Sequence, residues 1–481
     1  MAGIGFELKK LFRQKGIMAK LRAVGYTGAV TTGPMLLGVI LLAGISIACE
    51  FTGMPRLERE LLNCMVTYTL LFSLLVNSVF SLPVTRYIAD RIFEGRDSYV
   101  LPAFMGSNFL LLTIGGVLYI LFLCLSRMEL LSALLMMLFL GELIVNWNAM
   151  NFLSAVKDYK AIVYAFLYAV GVSFLVAVVL IFLHRVTVVS MLFAVTCGYG
   201  VMLLLNVRTL YRYFPQREGG YFLFLHWIDE YRSLIFVGVL TNVGMFGHLV
   251  IIWFSSLGVE ITAFFRCAPF YDVAAICAFI TILSSTINYV VSVEVNFYPR
   301  YRSYYSLFNG GGTITDIVNA EKAMLSVLEI ELLYNALKQL VVTALALSVG
   351  AVLLELLPLG FNDLMLGYFR TLCVGYGIFA VGNTLLLTQL YFADYSGALI
   401  STAVFALATT AGTLISLNFS EVYYGFGFLA GSACFMATSL ACLFLFTRKL
   451  NYHVLCTQPL VSEDHSGLFT DAQKVLERLV R

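Results

Sequence analysis

Two stretches of this chain repeat one polar pattern: "TLLFSLLVNSVFSLPVTRYIADRIFEGR" at residues 69–96 and "TILSSTINYVVSVEVNFYPRYRSYYSLFNGGG" at residues 281–312. In each stretch, hydroxyl and amide side chains recur through an apolar run, and a Pro and an Arg-Tyr pair follow. Residues three or four apart share one face of a helix, so each pattern predicts a polar stripe. The first stripe consists of Thr69, Ser73, Asn77 and Ser81, and the second of Thr281, Ser284, Asn288 and Ser292.

The composition places both stripes in a membrane protein. Of the 481 residues, 60% are hydrophobic and 12% are charged, and the mean hydropathy is +0.90. Soluble proteins carry about 25% charged residues, so this composition predicts a polytopic membrane protein. A spanning helix needs about 20 apolar residues. We predict twelve spans, at 24–48, 61–83, 101–124, 130–155, 161–183, 186–207, 233–256, 271–294, 339–357, 364–392, 397–417 and 423–447.

The distribution of Lys and Arg predicts the orientation. If the N-terminus is cytoplasmic, the cytoplasmic segments hold 24 of these residues and the outer loops hold five. Cytoplasmic loops of membrane proteins carry an excess of Lys and Arg, so we expect both termini in the cytoplasm of a bacterial inner-membrane protein. The outer loops are short, which leaves little scaffold for chemistry outside the membrane.

The two stripes indicate an internal duplication. They occupy the second and eighth spans, and "TTGPMLLGV" (31–39) in the first span loosely matches "TNVGMFGHLV" (241–250) in the seventh. Parallel six-helix repeats are a known transporter plan, with the substrate path between the repeats. The sequence therefore predicts two six-helix lobes around a central cavity, at 24–232 and 233–447. An amphipathic helix at 1–23 would precede them, and a cytoplasmic tail at 448–481 would follow. Alternatively, Ser/Thr/Asn stripes hold helices together without lining a cavity.

Polar residues within the spans are candidates for the cavity wall, because charge is costly inside a bilayer. Glu142 lies in the fourth span, and Asn146 follows on a broad polar side of that helix. Arg370 lies inside the tenth span and His248 inside the seventh. Glu142 would bind a cation, a proton or a sugar, or else pair with Arg370. His248 alternatively bonds a neighbouring helix.

The Arg-Tyr motifs would lie at the cytoplasmic mouth of the cavity. Arg86, Arg300 and Arg302 are candidates for partner docking or for acidic lipid heads, and ordinary positive-inside anchoring is the alternative. Tyrosines near Tyr301 would stack on sugars or form an interfacial belt. After Gly310–Gly312, Thr313 and Asp316 resemble a capping box. We expect this box to begin a helix that runs along the cytoplasmic surface to about Gln339 and precedes the ninth span.

The motifs of other function classes are missing from the sequence. No Cys or His spacing typical of a metal site is present. The triglycine lacks the G-x-x-x-x-G-K-[ST] pattern of a phosphate loop. No loop carries paired carboxylates for general acid–base catalysis. We therefore expect no metal, no cofactor, no nucleic-acid partner and no enzymatic activity.

Three segments resemble one family of transporters. They are "MAGIGFELKKL" at the N-terminus, "YTGAVTTGP" in the first span, and "FYPRYRSYYSLFNGGGTITDIVNAEKAML" at 297–325. Together they resemble the PelG family, inner-membrane transporters of the Pel exopolysaccharide system, over essentially the whole chain. The resemblance implies a member of the multidrug/oligosaccharidyl-lipid/polysaccharide exporter (MOP) superfamily that works by alternating access. It implies export of an N-acetylgalactosamine-rich biofilm polymer. It also implies two kinds of partner, a cytoplasmic glycosyltransferase and membrane proteins that include a cyclic di-GMP receptor.

The residues alone leave other functions open. An ion-coupled flippase of the same superfamily would move a small drug or a lipid-linked oligosaccharide, with Glu142 as the coupling site. A scaffold would only anchor the glycosyltransferase, and its lumen residues would tolerate inserted charge. A glycan polymerase or ligase is disfavoured because the outer loops are short.

Overall fold

The computed structural model describes residues 37–156, 158–262, 264–356, 361–456 and 467–480. The predicted amphipathic helix at 1–23 and the first part of the first predicted span lie outside these residues. Eleven helical segments of the described chain are long and apolar enough to cross a membrane, and a shorter apolar helix covers Leu37–Phe51. The predicted fold class, an all-helical polytopic membrane protein, is therefore confirmed.

The helices follow one another along the chain with one short β-hairpin among them. Their bounds are α1 Leu37–Phe51, α2 Arg56–Phe93, α3 Val100–Leu125, α4 Leu130–Val156, α5 Tyr159–Phe182, α6 Val188–Tyr213, α7 Phe224–Glu230, α8 Arg232–Trp253, β1 Val259–Thr262, β2 Phe265–Cys267, α9 Pro269–Phe279, α10 Leu283–Val291, α11 Tyr298–Asn309, α12 Ile314–Leu345, α13 Ala351–Leu356, α14 Asp363–Tyr391, α15 Tyr395–Ser416, α16 Phe426–Thr447, α17 Leu450–Cys456 and α18 Leu468–Val480. The strands β1 and β2 pair antiparallel.

The described residues fall into two compact units. The N-terminal unit comprises Gly33–Phe246, Gly258–Cys267 and Glu463–Arg481. The C-terminal unit comprises Gly247–Leu257 and Ala268–Ser462. The last helix, α18, thus belongs to the N-terminal unit although the chain before it belongs to the other.

The core of the N-terminal unit is built on α2, α4 and α6. Their inward faces carry fully buried apolar side chains such as Met65, Leu143 and Met202. In the C-terminal unit, α14 is the most enclosed span, and α15 and α16 pack closely against each other. Small residues allow this approach, since a side chain at Gly427 would come within 2.5 Å of the Thr413 Cα. Close approach through small residues is typical of helix packing in membranes.

The eighth predicted span is not one continuous α-helix. A 3-10 turn at Ile280–Ile282 separates α9 from α10, and a π-helical turn at Ser292–Phe297 separates α10 from α11. Pro299 explains the π-turn locally, because it lacks an N–H and its ring clashes with the carbonyl four residues earlier. The preceding N–H, on Tyr298, donates to the Val293 carbonyl, five residues back. Such π-turns are frequent at functional sites.

The helix after the triglycine corrects one prediction. Thr313 and Asp316 form the predicted capping box, and Gly311 has a φ of +76° in the turn before it. The helix then runs as α12 through a π-turn at Ala346–Gly350 into α13, so it continues from Ile314 to Leu356. It is a 43-residue spanning candidate and not a surface helix followed by a separate span.

The tyrosines around Tyr301 pack inside the C-terminal unit, which differs from the two roles predicted for them. Tyr304 is fully buried and its hydroxyl lies 2.6 Å from Asn451 Oδ1. The rings of Tyr301 and Tyr305 lie 4.4 Å apart, and Tyr301 packs against Tyr391 of α14. These rings form part of the core of the C-terminal unit, so packing is the role that their positions show.

Candidate functional site

The second predicted stripe faces α12, and the two together form a polar seam within the C-terminal unit. On one side of the seam lie Thr281, Asn288, Ser292 and Asn296, and on the other lie Glu331, Asn335, Lys338 and Gln339.

At the end of the seam nearest α11, the carboxylate of Glu331 is held by the π-turn. Ser292 Oγ donates to Glu331 Oε2 at 2.5 Å, and Asn296 Nδ2 donates to Glu331 Oε1 at 2.6 Å. Hydrogen bonds to a charged group contribute about 1.5–3 kcal/mol each. Both carboxylate oxygens are therefore tied to the irregular turn, and Glu331 fixes its geometry.

The middle of the seam is a chain of amides. Asn288 Nδ2 donates to Asn335 Oδ1 at 3.0 Å, and Asn335 Nδ2 donates to Thr384 Oγ1 of α14 at 2.8 Å. The ammonium group of Lys338 donates to Asn288 Oδ1. Asn335 is buried, whereas Lys338 is exposed. The network thus reaches from the interior of the unit to its surface.

The far end of the seam is more weakly joined. Gln339 Nε2 lies 3.4 Å from the backbone carbonyl of Thr281 and 3.4 Å from Thr343 Oγ1. The Thr281 hydroxyl itself donates to Ala278 O at 2.7 Å. Ser284 is half-buried on α10. Among the predicted stripe residues, Asn288 and Ser292 therefore make side-chain contacts across the seam, and Thr281 contributes its backbone.

Sequence reasoning missed the α12 side of the seam. Glu331, Asn335, Lys338 and Gln339 follow each other at spacings of four, three and one, which puts them on one helix face. That periodicity was available in the sequence. The charged residues of 314–338 are also typical of a surface helix, so the periodicity alone did not identify this polar face.

A groove of about 700 Å³ continues from the seam between α11 and α12. Arg300 lines this groove and is exposed. Arg302, two residues further along α11, is also exposed. Neither guanidinium has a carboxylate partner among the described residues. The lining residues are Val295, Asn296, Pro299, Arg300, Ser303, Val327, Ile330 and Glu331.

The first stripe lies inside the N-terminal unit, where its members contact different helices. The hydroxyls of Thr69 and Tyr119 lie 2.6 Å apart, and both side chains are fully buried. Ser73 Oγ accepts a hydrogen bond from Trp147 Nε1 at 2.9 Å. These two positions join α2 to α3 and α4, as expected of a stripe that holds helices together.

At the other end of the first stripe, the polar atoms have fewer hydrogen-bond partners. Ser81 Oγ lies 3.4 Å from Asn151 Oδ1. Asn77 is 8% exposed, and its Oδ1 is buried without a hydrogen-bond partner in the described part of the chain. A buried amide oxygen without a partner costs about 1–3 kcal/mol, so this position is suited to accept a donor from a ligand or water.

Glu142 and Asn146 lie one turn apart on α4 and face α6. Asn146 Nδ2 donates to Tyr199 O at 3.1 Å, and its Oδ1 accepts from Asn206 Nδ2 at 3.0 Å. A side chain at Gly200 would come within 3.0 Å of Glu142 Oε1, so this glycine leaves room for the carboxyl group. Glu142 Oε2 is buried and has no hydrogen-bond partner within the described ranges. Asn146 therefore has hydrogen-bond partners on α6, whereas one carboxyl oxygen of Glu142 remains available to a proton or a cation.

His248 lies in an aromatic enclosure in the C-terminal unit. It is fully buried, with Nδ1 2.9 Å from the Tyr271 hydroxyl and Nε2 3.4 Å from the Tyr376 hydroxyl. The Phe428 ring lies 4.3 Å from the imidazole, centroid to centroid. Both ring nitrogens thus contact neighbouring helices, which is the alternative that the sequence left open for this residue.

The two remaining predicted residues are cations. Arg370 is exposed on α14. Arg86 lies on α2, where its Nε is 3.2 Å from Asp90 Oδ2 and its guanidinium lies 5.6 Å from the Tyr231 ring centre. Arg86 belongs to the N-terminal unit, whereas Arg300 and its groove belong to the C-terminal unit.

Comparisons with known proteins agree on a transporter. The family model of PelG, described as "Putative exopolysaccharide Exporter (EPS-E)", matches residues 1–455. Among solved structures, a MATE in the bent conformation has a TM-score of 0.63 and 13% identity, covering 95% of this chain and 100% of that chain. A search of curated proteins finds no match by sequence.

Two other solved structures are similarly close. A mutant of the Vibrio cholerae MATE transporter VcmN has a TM-score of 0.61 and 12% identity, covering 90% of this chain and 99% of that one. The eukaryotic MATE transporter AtDTX14 has a TM-score of 0.57 and 11% identity, covering 96% of this chain and 99% of that one. At these identities the likeness shows the fold, and function is argued from residues.

Proposed function

Because the chain belongs to the PelG family of exopolysaccharide exporters, we propose that it carries a Pel-like, N-acetylgalactosamine-rich polymer across the cytoplasmic membrane. Family and fold make it a polytopic membrane transporter of the MATE-like type and not an enzyme. Membership of the family also places it in an exopolysaccharide system with other membrane proteins. The polymer and the coupling to its synthesis are the proposed part.

The polar seam is the observation that supports this proposal. A neutral, hydroxyl-rich polymer needs many hydrogen-bonding groups and few uncompensated charges along its path. The seam provides amides and hydroxyls, and its carboxylate, Glu331, is engaged by Ser292 and Asn296. Weak, repeated contacts allow a chain to move on, as conduction requires in channels. Lys338 and Asn288 lie where the network reaches the surface, so they are the residues proposed to meet sugar first.

The partners follow from the same proposal. A cytoplasmic glycosyltransferase would deliver the growing chain, and membrane Pel-system proteins would include a cyclic di-GMP receptor. The 24-to-5 distribution of Lys and Arg supports cytoplasmic termini. Arg300 and Arg302 are exposed next to the groove, and Arg86 is their counterpart on the first stripe. These three positions are the proposed cytoplasmic mouth.

A double substitution tests the proposed path. Asn77→Ala combined with Asn288→Ala removes the central amide of each stripe, and we expect secreted polymer to fall several-fold at normal protein level. Thr113→Ala combined with Thr438→Ala is the matched control, because Thr113 is exposed, Thr438 is half-buried, and each hydroxyl bonds only its own helix. Normal secretion by the Asn77/Asn288 variant would show that these stripes do not carry polymer.

The open carboxyl oxygen of Glu142 supports a second candidate. An ion-coupled flippase for a lipid-linked oligosaccharide or a small drug needs a group that exchanges a proton or cation during the cycle. Glu142 Oε2 is buried without a partner among the described residues, and Gly200 leaves space beside it. Transport by Glu142→Gln, measured in proteoliposomes with and without an imposed ion gradient, separates the candidates. A flippase loses gradient-dependent transport, whereas gradient-independent polymer export survives the substitution.

A further inference from the structure

The C-terminal helix α18 has three distinct faces, and the two candidate functions use none of them. One face packs into the core of the N-terminal unit through Phe469 and Leu476. A second face carries the charged residues Asp471, Lys474 and Arg478. The third is apolar and exposed.

The N-terminus of α18 is capped by a residue from another segment. Asp229 Oδ2, near the end of α7, accepts hydrogen bonds from the Thr470 N–H at 2.7 Å and from Thr470 Oγ1 at 2.8 Å. His226 Nδ1 lies 3.2 Å from the same hydroxyl. A side chain at Gly467 would come within 2.6 Å of Asp229 Oδ2, so a glycine is required there. The start of α18 is therefore fixed in a specific place.

A second contact fixes the other end. Glu477 Oε1 accepts a hydrogen bond from the Phe222 N–H at 2.8 Å, and a side chain at Gly220 would come within 2.6 Å of Glu477 Oε2. With contacts at Thr470 and Glu477, two turns apart, the helix can neither rotate about its axis nor swing away. Its third face therefore has a defined direction.

The surface to which α18 is fixed lies at the ends of spanning helices. Asp229 precedes by three residues the spanning candidate Arg232–Trp253. The loop that holds Glu477 is itself tied to the start of another span, because the Glu218 N–H donates to Ser98 O at 3.0 Å and Ser98 is the second residue of the spanning candidate Asp97–Leu125. Trp227 packs against Tyr87 near the end of a third span. Aromatic residues of this kind concentrate at the level of lipid head groups.

The third face of α18 is an uncovered apolar stripe. Leu468, Ala472, Val475 and Leu479 recur at spacings of four, three and four, which places them on one side of the helix. Leu468 is 82% exposed, Val475 56% and Leu479 77%. Leaving three large apolar side chains in water costs roughly 1.5–3 kcal/mol for each, so a stripe held rigidly outward calls for an apolar environment.

We propose that α18 is an interfacial anchor whose Leu468/Val475/Leu479 stripe enters the lipid surface beside the N-terminal unit. An amphipathic helix of this type buries its apolar side at the boundary between head groups and acyl chains. Lys474 and Arg478 lie beside the stripe. Lys474 Nζ is 3.5 Å from Asp471 Oδ1, and Arg478 has no carboxylate partner in the described ranges. Cations at this level attract anionic head groups of the cytoplasmic leaflet. The ligand is therefore a bilayer containing anionic lipid.

The position of the helix favours lipid over a protein partner. The loop that holds α18 is tied to span ends at Ser98 and Arg232, so the apolar stripe lies beside the ends of spanning helices. The inference depends on the spanning fold and not on the transported substrate. It therefore stands or falls separately from the proposed export of polymer.

Paired probes in the full-length protein test the anchor. A nitroxide on an unnatural amino acid replaces Val475 or Leu479 in proteoliposomes containing phosphatidylglycerol, and its neighbour Lys474 or Arg478 serves as the control on the charged face. Collision rates with oxygen, which concentrates in lipid, are compared with those of a water-soluble nickel chelate. We expect the oxygen-to-nickel ratio to be several-fold higher at 475 and 479 than at 474 and 478.

A second measurement separates lipid from other surroundings. The ratio at 479 should stay several-fold above that at 478 in vesicles of zwitterionic lipid, because the contacts at Thr470 and Glu477 hold the helix in place, and it should rise further when phosphatidylglycerol is added. Equal nickel access at 475 and 474 in anionic vesicles would overturn the proposal, since it would mean that the stripe faces water. Both positions are exposed, so loss of folding does not complicate either outcome.

Discussion

Lys338 donates a hydrogen bond to the side-chain carbonyl of Asn288, across the contact between α12 and α10. This contact joins the one cation of the seam to the central amide of the predicted second stripe. It also links α12, whose polar face was not predicted, to α10, whose Ser/Thr/Asn pattern predicted a polar face.

Replacing Lys338 by Met should lower polymer export several-fold while leaving protein level unchanged, because the side chain is exposed and its charge is the part removed. Secreted polymer and membrane-fraction protein are measured together. Lys322→Met is the matched control, since Lys322 is an exposed lysine on the same helix outside the seam. Equal losses in the two variants would assign the effect to general charge on α12.

Replacing Glu331 by Gln should loosen the π-turn at 292–297. The substitution weakens two hydrogen bonds to a charged group, each contributing about 1.5 kcal/mol or more. Losing about half of that energy in each bond totals about 1.5 kcal/mol, which corresponds to roughly tenfold faster local exchange. Hydrogen–deuterium exchange of a peptide covering 292–297 measures it, with Glu329→Gln, an exposed neighbour, as the control. Unchanged protection in both variants would mean that Pro299 alone maintains the turn.

Attachment of α18 should weaken in acid. Burial raises the pKa of Asp229, but hydrogen bonds from Thr470 and the nearby charge of Arg232 outweigh it, so the pKa lies below its usual range. A lowered folded-state pKa means that the stabilisation is present above the unfolded value, about 3.9. It is lost as the pH falls through the lower folded value.

A nitroxide at position 474 reports this release as faster probe motion below about pH 4. In Asp229→Asn the probe should already be more mobile at neutral pH, because a hydrogen bond to a neutral amide oxygen is about 1 kcal/mol weaker than one to a carboxylate, and its acid response over this range should shrink. An undiminished acid response in Asp229→Asn would place the responsible group elsewhere.

Glycines at the α15–α16 contact should be intolerant of side chains. A side chain at Gly427 would come within 2.5 Å of the Thr413 Cα, and one at Gly431 within 2.7 Å of the Thr409 Cα. Gly431→Val should therefore lower the melting temperature in detergent, consistent with about 1–3 kcal/mol for overpacking. Gly171→Val and Gly367→Val have open space at the Cβ and report the effect of valine itself. A melting temperature lowered equally in all three would remove the packing explanation.

The spans were predictable because hydropathy depends on local composition. The seventh, tenth and twelfth predicted spans agree with α8, α14 and the Glu421–Thr447 segment to within three residues at each end. The first half of α12 was not predictable in this way. Its Glu and Lys residues resemble a surface helix in isolation, and their partners at Asn288 and Ser292 lie more than 30 residues away in sequence.

The candidate site was predicted in part for the same reason. Helical spacing identified Asn288 and Ser292, but spacing cannot show which helix a stripe faces. Thr69 and Ser73 satisfy the same pattern and contact Tyr119 and Trp147 in the interior of the N-terminal unit. Only tertiary packing separates the two stripes.

The π-turn at 292–297 makes the two sequence repeats unequal in rotation. A π-turn holds about one residue more than an α-turn, so everything after it is turned by about 100° relative to an uninterrupted helix. The first copy passes through Pro83 as a continuous α-helix. The two Arg-Tyr motifs therefore differ in helical phase, and deleting a single residue from 293–296 would turn Arg300 out of its groove while leaving the motif at 297–325 intact.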